Sequence, residues 1–168
     1  MPSRHAPVDE VLFRRTMERF ASGVTVVTTA HDAEIAGTTV SAFSSLSLRP
    51  PLVLVCLDEA SATRRLIAHS GVFGVNVLAH NQEPLAESFA RNRKEGDPHQ
   101  FDGVAFRTCV TGSPLLEGCH AFVDCRVVAT YEGGDHRIYV GHVVFLDPHD
   151  DDSQPLVYHG SRYRRIKD

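Results

Sequence analysis

A dense series of hydroxyl side chains, set between two strongly apolar segments, is the first feature of the sequence that could do chemistry. The series comprises Thr38, Thr39, Ser41, Ser44, Ser45 and Ser47. Hydroxyls and backbone N–H groups are neutral hydrogen-bonding groups, so together they can contact an anionic or heteroaromatic ligand without carrying charge. The series therefore predicts a binding surface for such a ligand.

Two charged clusters offer further candidates. Asp135 and His136 lie in a Gly-rich connection between two long apolar segments, where such a pair is either a solvated turn or part of a site. Arg91, Asn92, Arg93 and Lys94 form a compact basic cluster at the end of a predicted helix. This cluster is either a solvated helix end or a phosphate clamp, since arginine presents a fork of donors. The residues alone leave both questions open.

Neither the acidic loop nor the cysteines predict a metal site. Residues 150–152 are three consecutive aspartates, and three adjacent carboxylates cannot all face one ion on a rigid element, so a solvated loop is expected. Cys56, Cys109, Cys119 and Cys125 form no CxxC motif, and a zinc site would need closer pairs. We expect reduced, buried thiols in a cytosolic protein.

Length and composition narrow the class of protein. A chain of 168 residues with 42% hydrophobic residues can form one packed domain, here taken as residues 1–168. A net charge of -4 gives no basic surface for nucleic acid. There is no apolar run of about 18 residues for a membrane span, and the N-terminus has no apolar signal core. We therefore expect a cytoplasmic protein that acts without nucleic acid or membrane.

Strands outnumber helices in the predicted elements. Breaker residues and β-branched runs predict strands over 24–29, 38–47, 52–57, 72–78, 104–110, 121–131 and 137–146. Helices are predicted over 7–22, 58–68 and 82–91. There is no GxGxxG or GxxxxGK[ST] motif, so the sequence signals neither a Rossmann site nor a P-loop. A mainly antiparallel, Greek-key-like barrel with helices at its ends is the predicted fold.

Two of these helices carry more detailed expectations. The apolar face of 7–22 is expected to pack over the end of the barrel, and Gly23 is placed to end that helix. Ser61 or Asp58 is expected to cap the helix over 58–68. Because that helix would begin just after a strand, its first amides either form an ordinary cap or also contact a phosphate.

The order of several motifs resembles a known family. The motifs are FASGVTVVTT at 20–29, GTTVSAFSSLSL at 37–48, PPLVLV at 50–55, FGVNVL at 73–78, FA at 89–90, GDH at 134–136 and GSRY at 160–163. Together they resemble the flavin reductase-like, FMN-binding split β-barrel family over about residues 13–165. The chain is most similar to the small NAD(P)H:flavin oxidoreductases that serve two-component flavin-dependent monooxygenases.

The resemblance implies a fold, ligands and partners. It implies a homodimer of six-stranded antiparallel split barrels with flanking helices, and FMN or FAD bound near the dimer interface. NADH or NADPH would be the co-substrate, and a separate monooxygenase would receive the reduced flavin. The Gly-Asp-His motif assigns Asp135 and His136 to the nicotinamide. The flavin positions carry over to Thr38, Thr39, Val40, Ser41, Ser44, Ser47, Cys56, Ser61, Thr63, Phe89, Ala90, Arg91, Arg93 and Tyr163.

Several alternatives stay open at this point. A non-catalytic, flavoredoxin-like electron carrier could use the same barrel, although the Gly-Asp-His element favours the enzyme. A barrel similar to pyridoxamine-phosphate oxidases would hold a different ligand. Ala42 stands where the family often has a second serine, which removes one hydroxyl contact. The choice between FMN and FAD is undecided. Between the nicotinamides we favour NADH, although Arg137 adjoins the motif.

Overall fold

Antiparallel strands form most of the structure, a computed structural model that describes residues 7–91, 97–149 and 153–166. The helices are α1 (Glu10–Met17), α2 (Ala62–Ser70) and α3 (Glu83–Ala90). The strands are β1 (Ser22–Gly23), β2 (Thr25–His31), β3 (Glu34–Val40), β4 (Phe43–Leu48), β5 (Pro51–Asp58), β6 (Val72–Val77), β7 (Phe106–Arg107), β8 (Leu115–Leu116), β9 (Ala121–Gly133), β10 (His136–Pro148), β11 (Val157–His159) and β12 (Arg162–Arg164). The prediction of a mainly antiparallel fold is confirmed.

The largest sheet has seven strands in the order β3-β2-β6-β9-β10-β5-β4. The sequence predicts one strand through the hydroxyl series, but the chain bends at Ser41 and Ala42, where the Phe43 N–H donates to the Ser41 carbonyl at 3.0 Å. This bend divides the series between β3 and β4, which form the two opposite edges of the sheet. The predicted strand over 104–110 is reduced to β7, which pairs with β8 in a separate two-stranded sheet.

Two clusters of buried apolar side chains hold the sheet together. One cluster lies on the face that β5 presents through alternate residues, and it includes Val53, Val55, Leu57 and Tyr139. The other joins β2 to α3 and includes Val26 and Phe89. Because each strand residue in these clusters is at most 7% exposed, the positions of β3, β5 and β10 relative to one another are fixed by packing.

The first helix differs from its prediction. It begins at Glu10 because Asp9 caps it, its carboxylate accepting from the Leu12 N–H at 2.8 Å, and it ends at Met17 rather than before Gly23. Gly23 lies in the short extended strand β1. The prediction that the apolar face packs over the end of the barrel is wrong within this chain, because no residue of α1 is buried.

The remaining helices and the long hairpin agree with the sequence. Ser61 caps α2, as expected, and its hydroxyl accepts from the Arg64 N–H at 3.4 Å. Gly71 ends α2 in the left-handed conformation, where glycine has no steric cost. β9 and β10 form the predicted hairpin, whose tip at Gly134 has a φ of 73°. These elements bring the predicted site residues towards the end of β5.

Candidate functional site

A cavity of about 180 Å³ separates the edge strand β3 from the end of β5. Each strand has a sheet partner on one side only at this point. β3 pairs with β2, and β5 stays paired with β10 up to Asp58 although its pairing with β4 covers only Pro51 to Val55. The Cys56 N–H donates to the Ala42 carbonyl at 3.0 Å, and both residues line the cavity. The residues that line the cavity are Thr38, Thr39, Val40, Ser41, Ala42, Cys56, Leu57, Asp58, Ser61 and His136.

The β3 wall offers backbone groups as well as hydroxyls. Both the N–H and the C=O of Gly37 bond the Gln100 side-chain amide, at 3.0 and 2.7 Å, so Gly37 points these groups away from β2. Backbone groups two residues apart on a strand point the same way, so those of Thr39 lie on this same open edge. The Thr39 hydroxyl is directed to the Ala86 carbonyl of α3 at 2.7 Å. This wall is therefore an uncharged surface that is held in place by hydrogen bonds at Gly37 and Thr39.

Two neighbouring cavities extend the first one. A cavity of about 610 Å³ with aromatic and aliphatic lining lies beside α1 and includes Phe13, Met17 and Phe20. Another of about 220 Å³ is lined by Val24, Thr39, Ser41, Ala90, Tyr158 and Tyr163. Ser41 lines all three cavities. The combined cleft reaches the size of about 300 to 1,000 Å³ that is typical of small-molecule sites.

The Asp135–His136 pair forms the opposite wall. His136 is the cross-strand partner of Asp58, the last residue of β5, and this register places the histidine at the cavity. The His136 Nδ1 lies 2.7 Å from an Asp135 carboxylate oxygen. This hydrogen bond, together with the charge of His136, lowers the pKa of Asp135. Because an ionised carboxylate only accepts, Nδ1 carries the hydrogen, and Nε2 is the ring nitrogen left to contact a ligand.

Several other predicted residues lie in the cleft or at its border. Ser61, at the N-terminus of α2, and Cys56 both line the first cavity, and burial raises the pKa of the Cys56 thiol. Ala90 and Tyr163 lie in the third cavity, where burial, and secondarily Tyr158, raises the pKa of the Tyr163 phenol. The structure thus joins residues from six predicted segments in one cleft.

Other predicted residues lie away from the three cavities. Ser44 and Ser47 are on β4 at the other edge of the sheet, and the Ser44 hydroxyl donates to the Ser45 carbonyl. Thr63 is a buried residue of α2, 3% exposed, and Phe89 is 1% exposed in the core. Arg91 is exposed at the end of α3, whereas Arg93 and the acidic run 150–152 lie outside the described residues.

The sequence did not identify every residue that lines the cleft. Leu57 and Asp58 line it because β5 continues beyond its pairing with β4, and Tyr158 because β11 returns beside β1. No local pattern marks these positions, since each depends on a long-range strand pairing. For these three residues, the one signal in the sequence was that Asp58 directly follows an apolar strand segment.

The described residues contain neither a cluster of metal ligands nor a helix that could span a membrane. Within the described ranges, no group of three or more histidine, cysteine or acidic side chains converges as ligands for a metal ion. None of the helices in the described part of the chain has the length and hydrophobicity needed to cross a bilayer. All four cysteines are free thiols, and Cys119 and Cys125 are buried.

Comparison with protein families and curated proteins identifies similar chains. Residues 17–167 match the model of the flavin reductase like domain. An NADH-dependent flavin reductase from a Rhodococcus species is 40% identical over 157 residues, which cover 92% of this chain and 85% of that protein. The reductase subunit HsaB of a flavin-dependent monooxygenase from Mycobacterium tuberculosis is 38% identical over 141 residues, covering 84% and 73% of the two chains.

A solved structure with bound ligands is also similar. The NADH:FAD oxidoreductase SgcE6 of Streptomyces globisporus, in complex with NAD and FAD fragments, has a TM-score of 0.88 and 34% sequence identity to this chain. The match covers 98% of this chain and 97% of the solved one.

Proposed function

Because the chain belongs to the flavin reductase-like domain family, we propose that it is an NADH-dependent flavin reductase that supplies reduced flavin to a partner monooxygenase. One observation carries the proposal beyond family membership. The neutral β3 wall and the Asp135–His136 tip face the same cavity. A reductase must hold an electron-accepting ring and a nicotinamide against each other, and this cavity provides one wall for each.

The cleft has the chemistry that a flavin requires. An isoalloxazine ring carries neutral hydrogen-bonding atoms along one edge, and the open edge of β3 offers the Thr39 backbone and the Ser41 hydroxyl. When bound, FMN or FAD supplies the ring that accepts a hydride from the reduced nicotinamide. Fixed neutral donors stabilise negative charge on such a ring without reorganising, which is the contribution we assign to β3.

The His136 ring would hold the nicotinamide. Nδ1 donates to Asp135, so whenever the ring is neutral its lone pair lies at Nε2, which can accept from a carboxamide N–H. No proton transfer by His136 is needed for hydride transfer, so we assign it a binding role. Asp135 orients the ring through the same hydrogen bond.

The phosphate end of the flavin would lie away from His136. The N-terminal amides of α2 follow Ser61 at the first cavity, and helix N-termini favour anions. On the other side of the cleft, Ala90 and Tyr163 border the third cavity, and Arg91 is the residue directly after α3. We propose that Thr38 and Val40, which line the first cavity, contact the flavin. Thr63 and Phe89 are buried and would shape its surroundings. Ser44, Ser47 and Arg93 stay predicted flavin residues.

The assembly we propose is a homodimer of split barrels, in which the sheet curls until β3 and β5 approach each other across the cavity. The apolar face of α1 supports the dimer, since Val11, Leu12 and Phe13 are each at least 56% exposed in a single chain. α1 is held to the β11–β12 turn, where the Gly160 N–H donates to the Glu18 carbonyl at 3.0 Å. A second copy would cover this face. Light scattering giving twice the chain mass would agree.

The direct test is a steady-state assay with purified protein. NADH oxidation is followed at the nicotinamide absorbance band with FMN or FAD in excess over the protein, and NADPH is compared in parallel. We expect repeated turnovers with NADH and a higher KM with NADPH. Flavin binding without turnover would indicate an electron carrier instead. No flavin binding at all would refute the proposal.

A further inference from the structure

Asp135 and His136 lie at the solvent-exposed tip of the β9–β10 hairpin. The Asp135 side chain is 93% exposed and that of His136 is 43% exposed. Gly134 and Asp135 connect the two strands of the hairpin at this end. Exposed hairpin ends open easily, because few apolar contacts oppose their motion. A residue that fixes this tip would therefore control where His136 stands relative to the cavity.

Glu59, the residue after β5, contacts both sides of His136. Its backbone N–H donates to the Asp135 carbonyl at 3.0 Å. Its carboxylate accepts from the Arg137 Nε at 2.8 Å, and the pair raises the pKa of Arg137. The backbone bond extends the β5–β10 pairing beyond Asp58 and His136, where the register ends. Glu59 thus connects the end of β5 to the residues before and after the histidine.

The same carboxylate ties the tip to α2. Its second oxygen lies 3.4 Å from Arg64 Nη2, which also donates to the Glu59 carbonyl at 3.0 Å. Arg64 is in the first turn of α2, where the helix dipole is already positive. Without a carboxylate at position 59, Arg64 and Arg137 would lose the anion between them, and with it the side-chain link that Glu59 forms between β10 and α2.

We propose that Glu59 is a positioning residue for nicotinamide binding, which rests on the proposed reductase function. It fixes the hairpin tip through the Asp135 carbonyl and Arg137, and so sets the distance between His136 and the β3 wall. Glu59 itself does not line the cavity, so it acts through the tip and not by touching the ligand. His136, the group that Glu59 positions, would bind the dinucleotide. The β3 wall, which would bind the flavin, is held separately by Gln100.

The test is a double-mutant cycle on Glu59→Gln and Arg137→Gln. The Arg137 and Glu59 side chains are 32% and 36% exposed, so solvent screens the pair, and a pair of this kind corresponds to a change of up to about fivefold in a binding constant. We expect KM for NADH to rise about three- to fivefold in each single variant and by the same factor in the double variant, because the link needs both side chains. The kcat at saturating NADH and the Kd for flavin should stay within about twofold of wild type.

Glu132→Gln is the matched control. Glu132 is the β9 partner of Arg137 and is exposed, so this variant also removes a carboxylate near Arg137 but leaves the Glu59 link intact. Its KM for NADH should stay within about twofold of wild type. A general electrostatic effect on NADH would instead move both the Glu132 and the Glu59 variants.

Three outcomes separate the possibilities. A selective rise in KM for NADH, equal in both singles and the double, supports the inference. Loss of thermal stability with unchanged KM values, or effects that add in the double variant, overturns it while leaving the reductase function intact. If wild-type protein does not oxidise NADH in the presence of flavin, the proposed function itself fails and this inference fails with it.

Discussion

The two walls of the cleft are built in opposite ways. The β3 wall is neutral and is held from both sides, by β2 along its length and by the Gln100 amide at Gly37. The Asp135–His136 wall is charged, exposed and held at the hairpin tip by Glu59. Buried bonds fix the first wall, whereas solvent-accessible bonds fix the second.

This difference matches the two ligands we propose. A redox ring needs fixed neutral donors whose positions do not change during the reaction. A dinucleotide that must enter and leave in every cycle suits a more open wall, since binding elements are drawn from the less stable parts of a fold. Changes at β3 should therefore affect stability and flavin together, whereas changes at the tip should affect NADH alone.

The largest effect is expected for Gly37→Val on the β3 wall. A Cβ at Gly37 would stand 2.7 Å from a ring carbon of Phe89, which is 1% exposed and cannot move aside. Overpacking of this kind costs about 1 to 3 kcal/mol, so denaturant unfolding should show a clear loss together with weaker flavin binding. Gly23→Ala is the control, because a Cβ there meets no atom within 4 Å. Equal stability of the two variants would contradict the close packing of β3.

Gln100→Ala should give the next largest effect. It removes both bonds to the Gly37 backbone, with a loss of about 1 to 3 kcal/mol and a rise in flavin Kd of several-fold. Gln82→Ala is a matched control, since that amide also bonds two backbone groups, at Ala79 and Glu117, away from the cleft. Both variants should lose stability, but Gln82→Ala should leave the flavin Kd unchanged. A similar loss of flavin affinity in both would argue against a special role for the β3 edge.

His136→Ala tests the other wall. We expect a rise of about tenfold in KM for NADH, the size of one lost hydrogen bond to a bound ligand, with little change in flavin Kd. His31→Ala provides the comparison, because His31 also pairs with an adjacent aspartate, Asp32, at a hairpin end. That variant should match wild type in steady-state kinetics. Equal losses towards NADH and flavin in His136→Ala would remove the distinction between the walls.

Asp135→Asn should have the smallest effect. The hydrogen bond from His136 lowers the pKa of Asp135, so the carboxylate is ionised throughout the range of about pH 5 to 8. Its contribution to the tip is therefore present at neutral pH and is lost only as the pH falls through the lowered pKa. We expect KM for NADH to rise about threefold, a typical effect of weakening an exposed pair. A larger loss than that of His136→Ala would assign the binding role to Asp135.

The sequence predicted the elements better than their positions. Local patterns were enough for α2 with its Ser61 cap, for α3 and for the β9–β10 hairpin. The single strand predicted through the hydroxyl series failed because nothing local marks the bend at Ser41. The prediction for the packing of α1 failed for a different reason. An apolar helix face indicates that another surface covers it, but not whether that surface belongs to the same chain.

The site was predictable to a similar degree. Thr38, Thr39, Ser41 and His136 could be identified by motif, yet their meeting depends on the pairing of His136 with Asp58. Glu59 had no local signal, because its partner Arg137 is 78 residues away in the chain. Residue types and spacing thus identified the groups that could bind ligands, and the strand register determined which of them share a cavity.

The most direct test of this account is a crystal structure of the protein with FMN or FAD bound. We predict the isoalloxazine ring in the cleft beside Thr39 and Ser41, with its open face towards His136. Flavin bound elsewhere on the chain, with the space between β3 and β5 left unfilled at saturating concentration, would contradict the assignment of the two walls.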